Sequence, residues 1–176
     1  MIQLQDKQFV PFISAQEIEF AIAQIARMIE NDFVGEIPVF IGVLNGSFMV
    51  VSDFMKQYKG ACELSFVKMS SYQGTTSTNE VTELIGINQN LEGRSVVIIE
   101  DIIDTGNTLV ELKTMLKKQN LKHLKIATLF FKPDAYKQEI KIDYIGIRIP
   151  NKFIVGYGLD YNELGRNLPE VYQLNE

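Results

Sequence analysis

Three carboxylates fall within five residues of the run Val96-Val97-Ile98-Ile99-Glu100-Asp101-Ile102-Ile103-Asp104-Thr105-Gly106-Asn107-Thr108. The β-branched residues that open the run are those of a strand buried on both faces. Unpaired carboxylates are expensive to bury. Glu100, Asp101 and Asp104 are therefore expected to emerge where that strand ends. In open α/β sheets the carboxyl end is where ligands bind. The Thr105-Gly106-Asn107-Thr108 turn then leads into a helix with Leu109, Leu112 and Leu116 on one face. Successive amides at a helix start, with threonine hydroxyls beside them, make an anion site suited to phosphate. Gly106 can take a positive φ and lets backbone come close to a ligand. Carboxylates beside a bare phosphate would repel it, unless they serve ribose hydroxyls or a bound Mg2+. The combination points to a sugar phosphate.

Other candidates are weaker when taken singly. Leu44-Asn45-Gly46-Ser47 is a second strand-to-helix turn whose amides can face an anion, and equally an ordinary Asn-Gly turn. Residues 70–80, with Ser71, Tyr72 and a series of Gly, Thr, Ser and Asn, hold nothing that anchors to a core and read as a mobile loop. Lys132 stands at the end of a strand expected at residues 126–131. Phe153, Ile154, Asp160 and Arg166 lie in a tail rich in Gly, Asn and Tyr. Individually they read as core packing or a surface ion pair. His123 reads as a surface residue late in a helix, and Cys62 as buried or inert; neither is assigned to catalysis.

The elements that position these residues alternate. Ser14 and Glu17 have capping-box spacing, and Ile18, Ile22, Ile25 and Ile29 follow at helical spacing until Asn31, Asp32 and Gly35. A strand at 39–44, a helix at 48–58, strands at 64–69 and 81–87, and a strand, helix, strand series from residue 95 onward come next. A further strand is expected at 144–149. Lys117, Lys118 and Lys122 suit the negative pole of the helix before them. Such alternation predicts an α/β fold with a mainly parallel sheet. Beyond Pro150 the chain reads as a small irregular lobe.

Composition narrows the function classes. The chain has 176 residues, enough for one domain with a real core. A net charge of −5 argues against non-specific nucleic-acid binding, which needs a basic surface. One cysteine and one histidine exclude a disulfide framework, a cysteine zinc cluster and a two-histidine metal site. No apolar stretch approaches the ~20 residues that span a bilayer, and the first ten residues lack a signal pattern. The expectation is a cytoplasmic protein that binds neither nucleic acid nor membrane.

The run Glu100-Asp101-Ile102-Ile103-Asp104-Thr105-Gly106 resembles the phosphoribosyl pyrophosphate (PRPP) motif of type I phosphoribosyltransferases, in particular of the hypoxanthine-guanine enzymes. The likeness extends over residues 38–172. It implies the type I fold: one domain over 1–176, a mainly parallel sheet flanked by helices, and a hood from the N-terminal segment and residues 150–176. It implies that Glu100 and Asp101 sit at the ribose hydroxyls and Mg2+, and that Asp104, Thr105, Gly106, Asn107 and Thr108 hold the 5-phosphate. Asp104 would face N7 of the purine as general acid or base. Leu44, Asn45 and Gly46 match the pyrophosphate loop, where relatives have a cis peptide and often Lys or Arg in place of Asn45. Ser71 and Tyr72 match the loop that closes over the reacting centre. Lys132 would donate to O6 of a 6-oxopurine, Phe153 would stack on the ring, and Ile154 would present backbone to its edge. Asp160 would hold a second Mg2+ near the purine, and Arg166 would contact pyrophosphate. The implied reaction is transfer of phosphoribosyl from PRPP to hypoxanthine or guanine by a homodimer or homotetramer. A PRPP-sensing gene regulator and a xanthine-guanine enzyme stay open beside it.

Overall fold

The computed structural model describes residues 1–70, 82–87 and 89–175. The expected loop with Ser71 and Tyr72 lies outside the described residues.

Six strands build the main sheet: β3 (Val39–Leu44), β4 (Glu63–Ser70), β5 (Thr82–Ile85), β6 (Ser95–Ile103), β7 (His123–Phe131) and β8 (Tyr144–Arg148). Their order is β5-β4-β3-β6-β7-β8. All neighbours run parallel except the edge strand β5, which returns antiparallel to β4. Parallel pairing explains the continuous apolar runs of β3 and β6, because both faces of the sheet are covered. Helices α1 (Ala15–Asp32) and α2 (Phe48–Gln57) place Ile18, Ile22, Ile25, Ile29, Val51 and Phe54 against Phe40, Val97, Ile99 and Leu129. Helix α3 (Asn107–Leu116) covers the opposite face, with Leu109, Leu112 and Leu116 against Val39, Ile41, Val96, Ile98 and Ile126. Alternate residues of β3 and β6 thus enter opposite cores. Each fully buried aliphatic side chain contributes ~1.5–3 kcal/mol before entropy is subtracted.

The start of α1 follows from its sequence. The Ser14 hydroxyl accepts from the Glu17 amide at 3.3 Å while the Glu17 carboxylate accepts from the Ser14 amide at 2.9 Å.

Two expectations need correction. His123 does not lie late in a helix: α3 ends at Leu116, a short 3-10 turn follows at Lys117–Gln119, and His123 opens β7 as an exposed residue. Asn120, at φ 48°, turns the chain there. The tail is also more regular than its composition suggests. It supplies β9 (Ile154–Val155) and β10 (Val171–Leu174), which join β1 (Ile2–Leu4) and β2 (Lys7–Ile13) in a second sheet, ordered β1-β2-β10-β9. All its pairings are antiparallel. The partner that makes the tail a sheet lies some 160 positions earlier in the chain, with Val171 opposite Ile13, so local pattern carries little signal of it.

Candidate active site

The carboxyl ends of β3, β6 and β7 lie side by side, and Gly158 of the tail reaches the turn that follows β3. The first surprise is the position of the acids. β6 does not end before Glu100 but runs on to Ile103, because its pairing with β7 continues to Ile103 opposite Phe131. Glu100 and Asp101 therefore lie inside the strand, only 5% and 8% exposed. Burial, with Asp101 beside it, pushes the Glu100 carboxyl well above its ordinary range. Burial also pushes Asp101 up to about 6, against backbone hydrogen bonds from Ile102 and Asp101 and the charge of Arg166, which pull it down. Among the described residues neither acid has an ion-pair partner. Adjacent in the strand, the two acids face opposite sides of the sheet: Glu100 toward the turn at residues 104–108, Asp101 toward Gly46.

Asp104 stands just past the strand. Its Oδ2 accepts a 2.8 Å hydrogen bond from Nζ of Lys132, a lysine almost wholly buried. Strand pairing sets this contact: the Lys132 amide donates to the Ile103 carbonyl at 3.0 Å, which brings the ends of β6 and β7 together. The turn that follows has Gly106 at φ 82°, and no side chain caps the start of α3. Its first amides are free to face an anion. Thr105, Gly106, Asn107 and Thr108 line a hollow of about 110 Å³ with Glu100 and Asp104.

Sequence reasoning missed Tyr136 and Gln138. They sit behind Gly106, so close that a Cβ there would meet the Tyr136 ring and the Gln138 side chain. Gln138 Nε2 donates to Asn107 Oδ1 at 3.3 Å and to the Thr105 carbonyl at 3.4 Å. These two residues fix the back of the turn. They lie in an irregular segment with no periodicity to single them out.

On the other side of β6, the Leu44–Asn45 peptide is cis. Gly46 presses on the Asp101 carboxylate, leaving no room for a Cβ, and Gly158 presses in the same way on the Gly46 carbonyl. Turn 156–158, at positive φ throughout, thereby ties the hood to the loop at residues 44–47. The buried Tyr157 hydroxyl donates to Asp53 of α2 at 2.5 Å, a second tie. Phe153 is half exposed, and its ring lies 6.2 Å from Phe9 and 5.9 Å from Tyr161. Ile154 beside it is buried in β9. Asp160 and Arg166 pair with each other at 2.7 Å, and Arg166 Nη1 donates to the Gly158 carbonyl at 2.9 Å. A larger hollow of about 500 Å³ lies elsewhere, lined by Glu30, Phe33, Glu36 and Tyr58, and does not include Glu100, Asp101 or Asp104.

Among the described residues no three His, Cys, Asp or Glu side chains are grouped to enclose a metal ion. Mg2+ is usually held by one or two carboxylates together with substrate phosphates rather than by an all-protein cage. The donors present, Glu100 and Asp101, offer hard carboxylate oxygens, the ligand type that Mg2+ takes.

Comparison with known proteins shows the family. The phosphoribosyl transferase domain family matches residues 13–162. The hypoxanthine-guanine phosphoribosyltransferase of Streptococcus mutans is 43% identical over 164 residues, 93% of this chain and 91% of that protein. Its counterpart from Streptococcus pyogenes is 42% identical over 173 residues, 98% of this chain and 96% of that one. A crystal structure of a Bacillus anthracis hypoxanthine-guanine phosphoribosyltransferase, with HEPES in the active site, superposes with a TM-score of 0.89 at 37% identity, covering 97% of this chain and all (100%) of that one. A hypoxanthine phosphoribosyltransferase from Staphylococcus aureus gives 0.88 at 36% identity, covering 97% and 92%. On this likeness in sequence and structure, the chain belongs to the phosphoribosyl transferase family, on its hypoxanthine-guanine branch.

Proposed function

We propose that the chain is a purine salvage enzyme that transfers the 5-phosphoribosyl group of PRPP to N9 of hypoxanthine, and of guanine, giving IMP or GMP and pyrophosphate. The observation that carries this reading is the buried Glu100–Asp101 pair leading directly into Asp104, whose carboxylate is held by Lys132.

In this reading the turn at residues 104–108 holds the 5-phosphate through the uncapped start of α3. Glu100 and Asp101 hold the ribose hydroxyls and a Mg2+ ion, with Asp160 near a second one. Bound there, Mg2+ offsets the charge of the pyrophosphate leaving group. N9 forms a bond to C1 of the ribose as the C1–oxygen bond breaks, and its electron pair leaves with pyrophosphate. The ribose passes through a cationic state, so no enzyme nucleophile is required. Asp104 takes or returns the proton at N7. Lys132, already beside Asp104, donates to O6, a contact that adenine's amino group cannot accept. Phe153 stacks on the base and Ile154 offers its backbone. Leu44, Asn45, Gly46 and Arg166 receive pyrophosphate, which requires Arg166 to share or leave Asp160. The segment with Ser71 and Tyr72 closes over the centre and keeps out water. The enzyme works in the cytoplasm as a homodimer or homotetramer.

Phosphorus NMR tests the reaction directly. With PRPP, Mg2+ and hypoxanthine, pyrophosphate and IMP should appear in equal amounts. Pyrophosphate release that is independent of the base would overturn the transfer reading.

A further inference from the structure

We infer that Lys68 is a pyrophosphate-binding residue, the cation of a loop that has none of its own. The inference rests on the phosphoribosyl-transfer reading above.

The loop at residues 44–47 consists of Leu, Asn, Gly and Ser, all neutral. A doubly phosphorylated ligand resting there still needs positive charge. Arg166 is one source, but its guanidinium is occupied by Asp160 at 2.7 Å and Glu163 at 3.2 Å. Lys68 is the cation that strand register brings to the loop. β4 pairs in parallel with β3, and Lys68 is the Cα partner of Leu44, the residue that opens the loop. Side chains alternate along a strand. Leu64 and Phe66 pack into the core under α1 and α2, whereas Val67 and Met69 belong to the core under α3. Lys68 therefore lies on the face from which the loop rises into α2. β4 pairs irregularly with β5 immediately after Lys68, a feature common beside active sites.

Two further observations point to a ligand. Lys68 is half-buried, yet among the described residues it has no acidic partner. Other half-buried or buried cations that line this sheet are paired: Arg94 with Glu63, Lys125 with Asp143, Lys132 with Asp104. Within the loop itself, the Ser47 hydroxyl is fully buried and unpartnered, and it does not cap α2. An orphaned buried hydroxyl, an uncapped ten-residue helix and an unpaired ammonium thus meet at one strand end. Each is satisfied by phosphate oxygens.

The test compares Lys68→Met and Lys68→Arg with the unaltered chain, and with Lys118→Met on the exposed surface as control. Steady-state kinetics give KM for PRPP and for hypoxanthine. Calorimetry gives affinity for inorganic pyrophosphate and for ribose 5-phosphate, both with Mg2+. Lys68→Met should raise KM for PRPP and weaken pyrophosphate about tenfold or more, the worth of one charge-assisted hydrogen bond. Ribose 5-phosphate affinity and KM for hypoxanthine should move less than twofold, and Lys68→Arg should restore most of the loss. Unchanged pyrophosphate affinity in Lys68→Met overturns the inference, as does an equal loss for ribose 5-phosphate, which would mark a general effect of charge or folding. If the unaltered chain binds neither PRPP nor pyrophosphate, it is the transfer reading itself that fails.

Discussion

At the scale of residues, the site is a study in what burial does to carboxylates. Asp104 lies at the strand end against Lys132, whereas Asp101 lies inside the strand with its carboxyl pushed up to about 6 by burial. Different roles follow. Asp104→Asn cannot exchange the N7 proton and should lower kcat by ~10²-fold or more, with PRPP affinity in calorimetry nearly unchanged. Near-normal kcat in that variant would remove Asp104 from acid–base work. Asp101 predicts a stability effect whose sign can be worked out. Between its ordinary value of 3.8 and about 6, the folded chain holds a proton that the unfolded chain has released. Stability due to this group therefore falls as pH rises through that window, and the cost is present in full above it. Its size is on the order of 3 kcal/mol. Asp101→Asn should raise the melting temperature at pH 8 without substrates or Mg2+, should lose that advantage at pH 4, and should be inactive. A lower melting temperature at pH 8 would show that the Asp101 carboxylate does not destabilise the fold.

At the scale of elements, three strand ends and one turn of the hood do the positioning. Pairing of β6 with β7 sets Asp104 beside Lys132, and the Gly156–Gly158 turn sets the hood against the loop at residues 44–47. Gly158, at φ +97°, packs against the Gly46 carbonyl with no space for a methyl group. Gly158→Ala is expected to displace that loop, raise KM for PRPP at least tenfold, and cost ~1–3 kcal/mol in denaturant unfolding. Unchanged kinetics would show that the hood and the loop are not coupled through this contact. Much of this arrangement was legible in the sequence. The capping box, the β-branched run of β6 and the turn at 104–108 are local patterns, and local patterns survive translation into structure. Three features were not legible. The continuation of β6 through two acids depends on β7, the sheet in the tail depends on β2, and the support of Gly106 by Tyr136 and Gln138 depends on a loop without periodicity. Each is fixed by partners distant in sequence.

At the scale of the whole molecule, two sheets divide the labour. The parallel sheet, covered by α1 and α2 on one face and α3 on the other, supplies a floor that carries the acids of β6 and the turns at residues 44–47 and 104–108 at one end. The antiparallel sheet supplies Phe153 and Ile154 and, through Tyr157 and Gly158, is tied back to the floor. The floor carries the features expected to take the sugar phosphate, and the hood those expected to take the base, so neither sheet alone can carry out the transfer. Among the described residues no helix is long and apolar enough to cross a membrane. We propose that Lys132 and Asp104, paired at 2.8 Å, select a 6-oxopurine for phosphoribosyl transfer. The most direct test is a spectrophotometric assay with PRPP and Mg2+, offering hypoxanthine, guanine, xanthine and adenine in turn. Turnover is expected with hypoxanthine and guanine and none with adenine; turnover with adenine, or none with any base despite PRPP binding, would rule this selection out.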